Sequence, residues 1–264
     1  MGDWQFNLPL PLMAAVIFLG AYAAAAIIHL IVTRLAVDGR AQAFKALSPG
    51  MLSPLGVLFG LLIGFTAAQV WGDFERAKLA VATEASALRT VVLLSESFPE
   101  EPGARLRALI NRHIEEAVNQ EWPQMRQQHE TLKDLPVPLI EALKTTFALT
   151  PEKASQTLAQ REIVTALETA LEARRQRIIL SHTTVTPLKW AALFLQALCT
   201  LIAISMVHSD NRLTSGIALT IFSTGIALSI LLIAAYDRPF SGGVSVGPDL
   251  LQQVIASEPA LAAP

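Results

Sequence analysis

One uninterrupted apolar stretch, Pro54 to Trp71, constrains this chain more than any other part of it. Its sequence, PLGVLFGLLIGFTAAQVW, is long enough as an α-helix to cross the hydrocarbon core of a bilayer. Three glycines, Gly56, Gly60 and Gly64, share one face of that helix because each lies one turn beyond the last. A helix face without side chains lets a second helix approach closely in lipid. We therefore expect a membrane helix in close contact with another helix.

The composition of the whole chain also indicates a membrane protein. Of its 264 residues, 52% are hydrophobic and 16% are charged, and the mean hydropathy is +0.46, which is too apolar for an ordinary soluble domain. The net charge is −2, with basic residues scattered among acidic ones, so a nucleic-acid partner is not expected. The single cysteine, Cys199, lies inside an apolar block and predicts neither a disulfide nor a cysteine metal site.

Four apolar blocks predict four membrane spans. They are Leu10–Val32, Pro54–Trp71, Leu188–Val207 and Leu213–Tyr236. No lysine or arginine precedes the first block, so we interpret it as a retained span rather than a cleaved signal. The predicted fold class is all-α integral membrane, with a helical soluble block inserted between spans two and three. The domains divide as 1–72 (spans one and two), 73–186 (soluble block), 187–237 (spans three and four) and 238–264 (an irregular C-terminal segment and tail).

Span two is expected to leave the membrane without a break. After Trp71 charges appear, but apolar residues keep helical spacing, which predicts one helix running on through Glu84. The longest soluble helix is predicted to start near Pro151, with Thr150 as its N-cap. Its apolar side suits the extension of span two as an antiparallel partner. Between them, Glu121, Trp122 and Pro123 predict a kink or stop.

Basic residues lie near the span ends on both sides of the membrane, so they favour both orientations. Four spans put both termini and the central block on one side of the membrane. The two short loops on the other side hold Arg34, Arg40, Lys45 and Arg212, which favours cytoplasmic loops. Lysines and arginines also crowd the span ends next to the central block, and a count close to the spans favours, by a small margin, a cytoplasmic block.

Several motifs resemble one bacterial membrane-protein family, called bestrophin-like. They are GxxxGxxxGF (56–65), WxxFERA (71–77), EASAL (84–88), EW (121–122) and DRPFSGxxxVxP (237–248), within a region from about Ser53 to Ile255. The resemblance implies four spans with a cytosolic helical block between spans two and three, in a multi-pass protein of the bacterial inner membrane. By analogy with true bestrophins, it further implies a pentamer whose second spans line an anion-conducting pore.

Opposite its glycines, span two presents a row of candidate pore-lining residues. The row consists of Phe59, Leu62, Thr66, Gln69 and Asp73. In a pore, the large apolar side chains would form a constriction that gates by dewetting, and the polar ones would hydrate or select ions at the mouth. Alternatively, Phe59 and Leu62 face lipid and Gln69 reaches a neighbouring helix. A ring of Asp73 carboxylates would favour cations unless Arg76 or Lys78 neutralises it, so the ion type stays open.

Six residues at the membrane edge are candidates for a latch against the soluble helices. They are Glu75, Glu84, Asp237, Arg238, Pro239 and Phe240. Arg238 would seek a carboxylate such as Glu75 or Glu84. The alternative for Glu75 is a structural ion pair with Lys78, three residues further on the same helix.

The residue patterns of enzymes are missing from the sequence. There is no nucleophile elbow, no phosphate-binding glycine loop ahead of a helix, and no intramembrane pair of carboxylates or histidines. His113 and Glu116 lie one turn apart, but two ligands are weak evidence for a metal, and a solvated surface is the favoured interpretation.

The leading functional hypothesis is an oligomeric, bestrophin-like ion channel whose second span lines the pore. Membrane lipid, further copies of the chain and inorganic ions are the expected partners, with no cofactor. The alternative is a membrane-anchored helical interaction or sensor protein without a conducting pore, which is favoured by the scarcity of polar groups in the spans.

Overall fold

The computed structural model describes residues 9–36, 44, 49–129 and 132–256, and regular secondary structure in these ranges is helical throughout. The helices are α1 (Leu10–Leu35), α2 (Pro49–Ser95), α3 (Glu100–Glu116), α4 (Trp122–Arg126), α5 (Val137–Phe147), α6 (Ala154–Ser181), α7 (Pro187–Val207), α8 (Arg212–Tyr236) and α9 (Asp249–Ala256). A π-helical turn, Ala117–Glu121, joins α3 to α4. The predicted all-helical class is confirmed. The predictions for Arg40, Lys45 and the tail after Ala256 lie outside the described residues.

Four of these helices, α1, α2, α7 and α8, are long and apolar enough to cross a membrane. Helix α2 is unbroken from Pro49 to Ser95, which confirms that span two continues past Glu84. Helix α6 begins at Ala154, so the prediction of Thr150 as its N-cap was wrong. The side-chain oxygen of Gln156 instead accepts hydrogen bonds from the backbone N–H groups of Glu152 and Lys153, which satisfies two donors at the helix start.

The chain divides into two compact units. The first, the four-helix unit, contains the described residues up to Gly72 together with Thr184–Arg238 and Gly242–Val244. Its helices pack through aliphatic and aromatic side chains. The main cluster contains Ala25, Ile28, Val32, Phe59, Ala197, Leu201, Ile204, Leu219, Ile226 and Ile230. At the start of α8, the Asn211 side chain caps the helix by accepting the N–H groups of Leu213 and Thr214.

The second unit, the helical block, contains Asp73–Thr183, Pro239–Ser241 and the described residues from Ser245 onward. Its core joins the later part of α2 to α3, α5, α6 and α9. The Gln156 amide donates to the carbonyl of Ser97 (3.1 Å), while Arg177, near the other end of α6, binds Glu84. These contacts confirm the predicted antiparallel pairing of α2 with the longest helix of the block.

Candidate functional site

The predicted pore-lining row starts inside the core of the four-helix unit. Phe59 is only 6% exposed, and its ring lies 5.9 Å from the ring of Phe222 on α8. Leu62 packs partly buried beside Val70 and Leu193. Thr66 is buried, and its hydroxyl donates to the carbonyl of Leu62 at 2.8 Å, one turn earlier in α2. This side of α2 is therefore a packing face of the bundle.

The polar end of the same row is also engaged by neighbouring side chains. The Gln69 side-chain oxygen accepts a hydrogen bond from the ammonium group of Lys189. Asp73 is buried, and its carboxylate pairs with Arg76 on the next turn of α2. Arg76 thus supplies the neutralising charge that the sequence had left open for Asp73.

The glycine face of α2 is open. A side-chain carbon added at Gly56, Gly60 or Gly64 would meet no atom of the described residues within 4 Å. Beside these glycines, large apolar side chains point away from the bundle, and Phe65 is 69% exposed. This arrangement of the two faces of α2 differs from the sequence expectation. The row of bulky side chains packs within the chain because it fills the volume between helices. The glycine face is not covered by the described residues of this chain.

An exposed stripe runs along α2 at alternating intervals of three and four residues. It consists of Leu61, Phe65, Ala68, Gly72, Glu75, Leu79, Ala82, Ser86, Arg89 and Leu93, of which Ala82 is partly exposed. Glu75 forms an ion pair with Lys78 at 3.3 Å, as its alternative interpretation predicted. The stripe was not predicted from the sequence, although the spacing of its residues, about 3.5 on average, was a detectable signal.

A buried ion-pair network links α2, α6 and the π-helical turn inside the helical block. The guanidinium of Arg177 is fully buried and donates to both Glu84 oxygens, at 2.7 and 3.1 Å. It also donates to Glu121 at 2.8 Å and lies 4.7 Å from the centre of the Trp122 ring. Arg174 donates to the other Glu121 oxygen at 2.7 Å. The carboxylate of Glu84 thus pairs with Arg177, from α6, and not with Arg238.

The π-helical turn places Glu121 in this network. Pro123 has no N–H to donate and its ring crowds the preceding turn, so a wider turn accommodates it without ending the helical run. The predicted kink or stop is therefore a local widening. Such turns are frequent at functional sites. Here the turn carries a carboxylate that faces Arg174 and Arg177.

His113 is buried, so its assignment to a solvated surface was wrong. It lies three residues after Ile110 and four after Leu109, on the buried side of α3, and its Nε2 lies 3.0 Å from a Glu84 oxygen. This spacing was a signal for the buried side, whereas its partner Glu84 is 29 residues away in sequence. Among the described residues, no group of three or more histidine, cysteine or acidic side chains could hold a metal ion.

The network is charged at neutral pH. Burial by itself raises the pKa of Glu84, but the charge of Arg177 and the hydrogen bond from His113 outweigh it and lower that pKa to about 2. Burial likewise opposes ionisation of Glu121, and the charges of Arg177 and Arg174 lower its pKa. The two carboxylates in turn raise the pKa of Arg177 against the effect of burial. Two acids and two arginines thus balance each other inside the block.

The four C-terminal latch candidates divide between the two units. In the four-helix unit, Asp237 is buried and accepts the N–H of Val185 at 2.5 Å, which ties the end of α8 to the start of α7. Arg238 is the last residue of that stretch of the chain.

In the helical block, Phe240 is buried and meets the Trp122 ring edge-on, with the ring centres 5.8 Å apart. The Pro239 carbonyl accepts the N–H of Val246 at 2.8 Å, and the Val246 carbonyl accepts the indole N–H of Trp122 at 3.2 Å. Gly242, which belongs to the four-helix unit, has a φ of 87°, a backbone conformation that side chains disfavour. The latch remains a prediction.

A family model for the Bestrophin-like domain matches residues 19–251. The chain belongs to the bestrophin-like family. This bestrophin-like protein is accordingly a membrane protein, consistent with its four long apolar helices. No curated protein sequence matches the chain.

Solved structures share the fold of this bestrophin-like protein. A point variant of a bacterial bestrophin homologue from Klebsiella pneumoniae matches with a TM-score of 0.71 at 14% identity, covering 90% of this chain and 97% of that one. Another structure of a bacterial bestrophin homologue from Klebsiella pneumoniae matches at 0.70 and 13% identity, covering 89% and 95%. A structure described as a membrane-protein variant matches at 0.70 and 14%, covering 92% and 97%. At these identities the likeness concerns the fold.

Proposed function

We propose that this bestrophin-like protein forms an oligomeric ion channel in the bacterial inner membrane, in which the exposed stripe of α2 faces the ion pathway. The buried row from Phe59 to Asp73 then holds α2 against its own bundle rather than lining the pore. The observation that carries the proposal is the exposed, regularly spaced stripe from Leu61 to Leu93. The family membership and the shared fold support it.

In the helical block, the stripe exposes leucine side chains that contact with a partner would bury. Leu79 is 66% exposed there, and Leu93 is also exposed. In a block surrounded by water, burying one such leucine gains about 1.5–3 kcal/mol. In the membrane part, α2 is the least buried of the four spans. Contact between α2 helices of several copies would cover both parts of one continuous helix.

The spacing and the small residues suit such an assembly. Positions that alternate three and four residues apart average 3.5 residues per turn, the repeat of helices wound together around a common axis. Gly60 and Gly64, beside the stripe, remove side-chain bulk where membrane helices of adjacent copies would meet. The family resemblance implies five copies.

The side chains along the stripe would create distinct zones of the pathway. Leu61 and Phe65 from each copy would form an apolar constriction that closes by dewetting. Beyond it, Glu75 and Arg89 present charges of both signs, and Glu75 is paired with Lys78. This order supports a gated pathway. Charges of both signs along it are compatible with conduction of cations or of anions. The charge count near the spans supports a cytoplasmic helical block.

Reconstitution into liposomes tests the proposal. We expect the purified protein to carry ion flux above that of empty liposomes under some condition of pH, calcium and voltage. Phe65→Ala should increase that flux several-fold because it widens the apolar constriction. The control is Ile221→Ala on α8, since Ile221 and Phe65 are both 69% exposed. Flux absent under all these conditions, or changed equally by both variants, would contradict the channel.

The mass of the detergent-solubilised complex separates the channel from its alternative. A closed ring of copies is expected for the channel. A monomer or dimer without flux would favour a membrane-anchored interaction or sensor protein, in which the spans only pack and the helical block binds a partner.

A further inference from the structure

The four-helix unit contains a cavity of about 690 Å³ between α1, α7 and α8. Its walls are mainly apolar, with Trp190 and Leu201 from α7 and Ile226 from α8. The volume lies within the range of pockets that hold small ligands. The α1 wall includes three small residues, Gly20, Ala21 and Ala24, which leave space between the helices. A side-chain carbon added at Gly20 would meet no described atom within 4 Å.

The cavity has one polar end. Helices α1 and α8 are antiparallel, because Tyr22 hydrogen-bonds to Thr224 and His29 to Ser215. Met13 on α1 therefore lies at the level of the end of α8. The bond between Asp237 and the N–H of Val185 brings the start of α7 to the same level. Thr184, Asp237 and Arg238 line the cavity at this end.

The length of the cavity matches one leaflet of a bilayer. Its lining on α1 runs from Met13 to Ala24, which at the rise of an α-helix is about 16 Å. Half of the hydrocarbon core of a bilayer is about 15 Å. A cavity of this length, apolar along its walls and polar where the span ends, has the dimensions and polarity of one extended lipid chain below its headgroup.

We propose that this cavity binds one acyl chain of an anionic phospholipid, whose phosphate is held at the polar end by Arg238. A guanidinium and a phosphate form charge-assisted, often bidentate hydrogen bonds. The neighbouring carboxylate of Asp237 accepts a hydrogen bond from the N–H of Val185. The Thr184 hydroxyl is a second donor at that end. This lipid site does not depend on whether the protein conducts ions.

The site is tested by native mass spectrometry of the purified, delipidated full-length protein with phosphatidylglycerol or phosphatidylcholine of identical acyl chains. We expect about one tightly retained phosphatidylglycerol per chain. Gly20→Leu and Ala24→Leu should abolish retention because their side chains fill the cavity. The matched control is Ala23→Leu, since Ala23 is exposed on the same helix and does not line the cavity. This variant should retain lipid as the wild type does.

The headgroup assignment is tested separately. Wild-type protein should prefer phosphatidylglycerol over phosphatidylcholine by about fivefold, the effect of one basic residue at a membrane surface, and Arg238→Gln should remove that preference. Equal retention by Ala24→Leu and Ala23→Leu would overturn the proposal, as would an Arg238→Gln variant that keeps the preference. The proposal would also be overturned if the wild-type protein retained no lipid and Ala24→Leu changed the subunit number. That result would show that a neighbouring copy fills the cavity.

Discussion

At the scale of single residues, Arg177 is a charged side chain that the helical block buries completely. Its fully buried guanidinium compensates the carboxylates of Glu84 and Glu121. Removing one partner of a buried ion pair leaves an uncompensated charge and costs about 3–5 kcal/mol. We therefore expect Arg177→Ala to lower the thermal midpoint of the purified protein by many degrees, or to prevent folding.

A neighbouring arginine provides the control for this prediction. The Arg175 side chain is mostly exposed and lies 3.7 Å from Glu172, a surface pair of the kind that contributes about 0–1 kcal/mol. Arg175→Ala should leave the thermal midpoint almost unchanged. Similar midpoints for the two alanine variants would show that the buried network does not stabilise the helical block.

The same network shows what can be predicted for individual residues. Helical spacing alone would have put His113 on the apolar side of α3, but the prediction followed the polarity of its side chain and put it on the surface. It could not identify the partners, because Glu84 is 29 residues from His113 and 93 from Arg177. Pairings over such separations depend on how α2, α3 and α6 pack, which no local pattern contains.

At the scale of helices, the two faces of α2 differ in side-chain volume. The bulky row from Phe59 fills the bundle of its own chain, and the glycine face with Phe65 is open. Phe59→Ala should leave a cavity that costs about 3–5 kcal/mol. Phe65→Ala, on the same helix, should cost far less in the isolated chain because Phe65 is exposed.

Thermal unfolding in detergent measures this difference. We expect a lower midpoint for Phe59→Ala than for Phe65→Ala, whereas ion flux should respond mainly to Phe65→Ala. The reverse order of midpoints would mean that Phe65, and not Phe59, carries the packing of α2. The two phenylalanines thus separate a packing role from a pathway role within one helix.

The sequence predicted the course of the helices better than it predicted which helix faces the chain covers. Apolar periodicity predicted the unbroken course of α2, which follows from local spacing, and the apolar faces of α2 and α6 predicted that the two helices pair. Periodicity also identified two opposite faces of α2. It could not decide which face the chain covers itself, since a glycine groove and a bulky row can each be the inner face of a bundle.

At the scale of the whole molecule, the α2 stripe predicts contact between copies of the chain. Leu79 is 66% exposed on α2, and Leu158, on α6, is 70% exposed. If the stripes of several copies surround one axis, cysteines at position 79 come close together, whereas those at position 158 do not. In a Cys199→Ala background, Leu79→Cys should therefore yield a ladder of covalent oligomers with a short bismaleimide.

The ladder reports both arrangement and subunit number. Its highest band should correspond to the mass of the intact complex, for which we propose five copies by analogy with true bestrophins. Leu158→Cys should react with a monofunctional maleimide to the same extent but remain monomeric after cross-linking, because it lies outside the stripe. Equal cross-linking at both positions would reflect random collision. A ladder from Leu158→Cys alone would place the contact between copies on α6, and the α2 stripe could then not line a shared pathway.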